Sequence, residues 1–133
     1  MKTLEEIIKQ NPVYLHDWSD KIDVIYDFED FQWRTKENQE KVVKNYDGIN
    51  ILFASYSYEN YSGDAYVLFE KNGKLFEVFG SHCSCYGLEG QFEPDEVSLE
   101  ELNMRLLNGE FGVDNYSENE FAEELKEFLG VQQ

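Results

Sequence analysis

Cysteine, histidine, proline and methionine are all scarce in this 133-residue chain, with only two of each. Two cysteines cannot staple a small secreted fold, and Cys83 and Cys85 are so close that a disulfide between them would close a strained ring. Bases are also short, with 11 Lys and Arg against 28 Asp and Glu. No basic stripe is left to follow a phosphate backbone, which argues against direct nucleic-acid binding. No segment reaches the roughly 18 consecutive apolar residues of a membrane span, and the start "MKTLEEIIKQNP" lacks the apolar core of a signal peptide. The expectation is a soluble cytoplasmic protein. There is no Gly-rich phosphate loop, no G-x-S-x-G elbow and no H-E-x-x-H pair, so no motif names a reaction.

Aromatics, by contrast, are plentiful at 16% of the chain. They supply enough buried area for a folded core without covalent staples, and the length suits a single domain over residues 1–133. The net charge is −17, and residues 75–133 carry most of it, with 14 acids against only Arg105 and Lys126, a balance of −12. A field of that sign repels nucleic acid and anionic lipid and attracts basic protein surfaces. Acidic surfaces also serve solubility, so charge alone does not select a partner.

Local pattern predicts an α+β fold: a three-stranded antiparallel β-meander packed on one face by N- and C-terminal helices. Thr3 and Glu6 form a capping box ahead of Leu4, Ile7 and Ile8, and "TKENQEKVVKNY" reads as a second helix ending near Asp47-Gly48. The stretch from Val13 to Trp33 has no clear period. "INILFASYSY", "DAYVLFE" and "KLFEVFG" read as strands within residues 49–80. Tyr61-Ser62-Gly63 is expected to turn the chain between the first two, and Asn72-Gly73 to make a type I′ hairpin between the last two. Ser98 with Glu101, and Ser117 with Glu120, signal two C-terminal helices, ended by Gly109 and Gly130.

The candidate site is the segment that gathers both cysteines and one histidine, His82, Cys83 and Cys85. If it stays extended, the thiols point one way and the imidazole the other; if it turns, all three converge. Thiolates with imidazole suit a tetrahedral zinc ion, so a structural zinc held by Cys83, Cys85, His82 and His16 is one expectation, with Asp17, Asp64 or Glu89 as substitute ligands. The C-x-C spacing is unusual for zinc, and adjacent ligation by His82 and Cys83 would strain the backbone. Two other readings stand beside it: small buried thiols with a histidine satisfying backbone carbonyls, or a thiol activated by imidazole for nucleophilic work. "YDFEDFQW" alternates carboxylates with aromatics as a partner surface would, but an edge strand or helix over the core is the favoured reading, and the tyrosines of "SYSYENYSGD" fit an interface or ordinary cross-strand pairs equally well.

Residues 61–102 resemble a block found in small acidic proteins of phages and prophages, in which a Ser-His-Cys-Ser-Cys-Tyr-Gly-Leu-Glu-Gly-Gln core precedes an aromatic, acids and a helix. In this chain the core is Ser81 to Gln91. The resemblance implies a phage context, hence the host cytoplasm. By analogy it implies an anti-defence inhibitor of the anti-CRISPR kind, some of which hold a structural metal ion. The implied partner is a basic nucleic-acid-handling protein such as the RNA-guided nuclease of a type II CRISPR system, whose positively charged channels hold its nucleic acid. Charge supplies the contact: the two C-terminal helices would present Glu118, Glu120, Glu123, Glu124 and Glu127, with Glu100, Glu101 and Glu110 beside them, and such a blocker requires no catalytic residue. The alternatives are an antitoxin or immunity-type protein that neutralises a basic toxin, and a cysteine- or metal-dependent enzyme.

Overall fold

Asn72 and Gly73 both have positive φ, 55° and 81°, as both central positions of a type I′ turn require. The turn joins β3 (Ser62–Lys71) to β4 (Lys74–Cys83), which pair antiparallel from Lys71↔Lys74 to Ser62↔Cys83. The computed structural model describes residues 1–16, 18–29, 35–57, 62–83, 87–88, 90–109, 111 and 121–131, apart from the side chains of Gln39, Val42, Val43, Ser62 and Cys83. Strand β2 (Asn50–Tyr56) pairs antiparallel with β3 and carries a bulge between Ile51 and Phe53. The extra residue puts Leu52 and Phe53 in one core cluster and Ile51 in the other.

The expected meander is therefore the centre of a larger sheet. Five strands run in the order β1-β2-β3-β4-β5, with β1 (Val13–His16) parallel to β2 and the remaining pairs antiparallel. Neither edge strand has a local signature. β1 is four residues long, and its partner is reached through two helices, the long crossover that a parallel pair needs. β5 (Asp95–Val97) is three residues, two of them acidic, held by pairing with Leu75, Phe76 and Glu77. The turn expected at Tyr61-Ser62-Gly63 is displaced, because Ser62 and Gly63 already belong to β3, while Tyr61 lies outside the described residues.

Helices cover both faces of the sheet, where only one covered face was expected. On one face α1 (Leu4–Lys9), α4 (Leu99–Leu107) and α5 (Ala122–Leu129) bury Ile7, Leu102, Leu106, Leu125 and Leu129 against Phe53, Tyr66, Leu68 and Leu75. Each such side chain contributes about 1.5–3 kcal/mol relative to an exposed one. On the other face α2 (Lys21–Phe28), with α3 (Lys36–Asn45) beside it, packs Val24 and Phe28 with Trp18 onto Ala54, Ala65, Val67 and Val78. The crossover between β1 and β2 puts α2 there.

The caps follow the sequence closely. Thr3 and Glu6 exchange both bonds of the capping box, and Ser98 Oγ accepts from the Glu101 amide at 3.1 Å. Asp20 accepts from the Asp23 amide at 2.8 Å and opens α2. Gly130, at φ 75°, ends α5, whose last carbonyls are taken by the Lys2 amide on Leu129 and the Gln10 amide group on Phe128, both at 2.9 Å. Ser117 and Glu120 lie outside the described residues, and Phe121 stands at the N-cap of α5 with no side-chain cap bond.

Candidate functional site

The described part of the His-Cys segment is organised by two glycines and a glutamine. A Cβ on Gly63 would lie 1.9 Å from the Ser57 carbonyl oxygen and 2.8 Å from His82 Nε2. Only a bare glycine lets the His82 ring cross β3, which lies between β4 and β2. The ring stacks on Tyr56 with centroids 4.2 Å apart and planes 5° from parallel, and Nε2–H donates to the Ser57 carbonyl at 2.6 Å. His82 is 4% exposed. Beyond it the cluster continues through Trp18, 5.2 Å from Tyr56, whose indole N–H donates to Asp27 at 2.6 Å.

Gly80 makes room for the loop that follows β4. A Cβ there would meet Leu88 Cδ2 at 2.9 Å, and Leu88 is buried. The Gln91 side chain then completes the outer edge of β4 as another strand would. Its oxygen accepts from the Ser81 amide at 2.9 Å, and its nitrogen donates to the carbonyls of Ser81 and Gly87, both at 2.8 Å. In the Ser-His-Cys-Ser-Cys-Tyr-Gly-Leu-Glu-Gly-Gln block, then, His82, Leu88 and Gln91 each fasten the loop or the sheet end.

His16 and His82 lie at the same end of the sheet, since His16 is in register with Tyr56, Tyr56 with Ala65, and Ala65 with Gly80. Their strands are separated by β2 and β3, on the order of 14 Å at about 4.8 Å per strand. The His82 ring narrows that gap by reaching β2. Its Nε2 is committed to Ser57, so a metal at His82 must use Nδ1 or break that bond. Cys83 is the last residue of β4; its side chain, and all of Asp17, Cys85 and Glu89, lie outside the described residues. Asp64 is exposed and pairs with Ser81. Among the described residues no three His, Cys, Asp or Glu side chains gather closely enough to hold a metal ion.

Comparison with family models, with curated proteins and with solved structures finds no match in any of the three. The chemistry of the chain's own residues is the only guide. No helix among the described residues is long and apolar enough to cross a membrane.

A second polar cluster was not foreseen. Glu77, 5% exposed, binds Arg105 of α4 at 2.5 Å and accepts the Tyr66 hydroxyl at 3.2 Å. Burial first, then the Glu77 charge, pushes the Tyr66 hydroxyl well above its ordinary pKa, while Arg105 partly offsets this. Burial lowers the Arg105 pKa, but the hydrogen bond and charge of Glu77 outweigh it and raise the net value. The guanidinium also lies 4.3 Å over the Phe111 ring. The sequence did hold a signal: Glu77 falls on the same strand face as Leu75 and Phe79, and Arg105 adjoins Leu106 on the buried stripe of α4. The cluster ties α4 to the sheet and keeps the Tyr66 hydroxyl protonated.

The acidic residues divide by layer. Helices α1, α4 and α5 expose Glu5, Glu6, Glu100, Glu101, Glu123, Glu124 and Glu127 on the same side of the molecule. Their only bases are already paired with acids: Lys9 with Glu5 at 3.6 Å, Lys126 with Glu123 at 3.6 Å, and Arg105 with Glu77. Helices α2 and α3 balance Asp23, Asp27, Glu37 and Glu40 with Lys21, Lys36, Lys41 and Lys44. Of the expected contact residues, Glu123, Glu124 and Glu127 are exposed on α5, while Glu118, Glu120 and Glu110 lie outside the described residues.

Proposed function

We propose that the protein is an acidic binding protein that docks on a basic nucleic-acid-handling protein, an RNA-guided defence nuclease in the first instance, and blocks entry of the nucleic acid. The reading is carried by the layer in which α1, α4 and α5 expose seven glutamates against three bases, each of which already pairs with a glutamate of this chain. Such a layer is drawn toward the positively charged channels of a nuclease at long range. It works through the folded surface alone. A structural zinc ion on Cys83 and Cys85, completed by His82 through Nδ1 or by His16, belongs to the same proposal; its role is to hold the loop after β4.

The test uses a purified RNA-guided nuclease of the type II kind with its guide, measuring target binding and cleavage as the protein is titrated in. Inhibition should saturate at one protein per nuclease and fade as salt rises, since exposed charges are screened over about 8–10 Å near physiological ionic strength. Charge reversal at Glu124 and Glu127 should slow association more than it speeds dissociation. Inactivation of a large excess of nuclease by trace protein would replace this reading with an enzyme.

A further inference from the structure

We infer that the outer face of α4, with the groove at its N-terminal end, is where a basic amphipathic helix of the partner lies. This rests on the proposal that the partner is basic, and adds where and by what contact it is held. Leu102 and Leu106, both almost fully buried, face the sheet, and Arg105 anchors the helix to Glu77 at 2.5 Å. One apolar stripe is enough to bury a helix of this length. Yet α4 carries a second: Met104 is 62% exposed and Leu107 45% exposed, one turn apart, with Glu100 aligned at i, i+4 and i+7. A single exposed apolar side chain is ordinary, and two in line on a fixed helix make an edge that another helix can cover.

The line leads into a groove of about 350 Å³ between α1, the β3–β4 hairpin, β5 and the start of α4. Leu4, Leu75, Val97 and Leu99 line it, with Glu96, Glu100 and Lys74 also bordering it. Met104 suits such a surface because its unbranched thioether adapts to different partners.

Charge selects the occupant. Glu100 and Glu101 flank the line, each of the three bases on α1, α4 and α5 already pairs with a glutamate of this chain, and at the groove the single base Lys74 is outnumbered by Glu96 and Glu100. A second copy of this chain would bring an identical acidic layer face to face with the first, and an anionic membrane would be repelled in the same way. A helix with lysines or arginines beside one apolar stripe matches both features. The acids accelerate its approach, and Met104, Leu107 and the groove slow its departure.

The test uses the full chain and two synthetic probe peptides of equal length and equal lysine count. One has leucines along one helical face, and the other has serines in their place. Fluorescence anisotropy at fixed salt should show the leucine peptide binding roughly tenfold more tightly, and methyl NMR shifts should concentrate at Met104, Leu107 and Leu99. Met104→Ser with Leu107→Ser should reduce the leucine peptide to the level of the serine peptide while the variant stays folded with a melting temperature only a few degrees lower, because Met104 is mostly exposed and Leu107 is about half exposed. Equal binding of the two peptides, or shifts confined to α5, overturns the α4 assignment and leaves the charge-driven reading standing. If neither peptide binds even at low salt, both fall. A concentration-dependent dimer that is abolished by the double variant assigns the surface to a second copy, and likewise overturns the inference.

Discussion

Gly63→Ala is the most discriminating single change at the loop-bearing end of the sheet. Gly63 is in an extended strand without positive φ, so on backbone grounds alone alanine there should stabilise the protein by about 0.4–1 kcal/mol through the unfolded chain. The packing predicts the opposite sign. The new methyl carbon would stand 1.9 Å from the Ser57 carbonyl oxygen, 2.7 Å from its carbon and 2.8 Å from His82 Nε2. Overpacking of this kind costs about 1–3 kcal/mol, and losing the His82–Ser57 hydrogen bond adds about 0.5–1.5 kcal/mol. The net expectation is a loss of about 2–3 kcal/mol, or on the order of 10 °C in melting temperature for a chain of this length. Urea unfolding followed by tryptophan fluorescence suits the measurement, because Trp18 lies against Tyr56. The nearest clash is with backbone, so adding His82→Ala to Gly63→Ala should not restore stability. A Gly63→Ala protein as stable as the parent, or more so, would refute this account of the sheet end.

Glu77→Gln should cost about 2–3 kcal/mol in chemical denaturation, toward the lower end for a broken buried pair because the Arg105 side chain is 22% exposed; the pair Glu77→Gln with Arg105→Met should cost less than the two single changes added together. At alkaline pH the unfolded chain releases tyrosine protons near pH 10, while burial holds Tyr14 up to about 12 and keeps Tyr46 and Tyr66 raised as well. Stability should therefore fall as pH rises from about 10 through the folded values, less so in Tyr14→Phe, and be insensitive to these groups below pH 9. Lys21, whose pKa burial lowers while the Asp47 charge partly offsets this, acts in the opposite direction as it sheds its charge below its ordinary value. A flat stability profile between pH 9 and 12 would contradict the tyrosine burial. For the zinc proposal, native mass spectrometry before and after chelator should show loss of one metal ion together with a lower melting temperature, reproduced by Cys83→Ser; protein that carries no metal and ignores chelator excludes it.

Features governed by a few neighbouring residues were legible in the sequence. The Thr3–Glu6 capping box, the Ser98 cap, the left-handed Gly130 and the Asn72-Gly73 hairpin each depend on contacts within four positions, and each is where local pattern put it. The three central strands follow for the same reason, since β-branched and aromatic alternation survives whatever lies beside it. Charge was equally readable as a total, because it is additive. Its segregation onto one layer required knowing that α1 packs with α4 and α5 although most of the chain lies between them.

Tertiary structure decided whatever rests on long-range pairing. Val13–His16 become a strand only because β2 offers an edge. The short, acidic β5 exists because β4 has outward-facing backbone groups to satisfy. His82 was read as a candidate ligand on composition, and its ring is placed by a glycine nineteen positions earlier and a carbonyl twenty-five positions earlier. No local window contains that geometry, since a side chain crossing a strand depends on which strand lies beneath it. The exposure of Met104 and Leu107 is of the same kind: "LEELNMRLL" carries more apolar residues than one face can bury, and only docking through Leu102, Leu106 and Arg105 determines which are left in water.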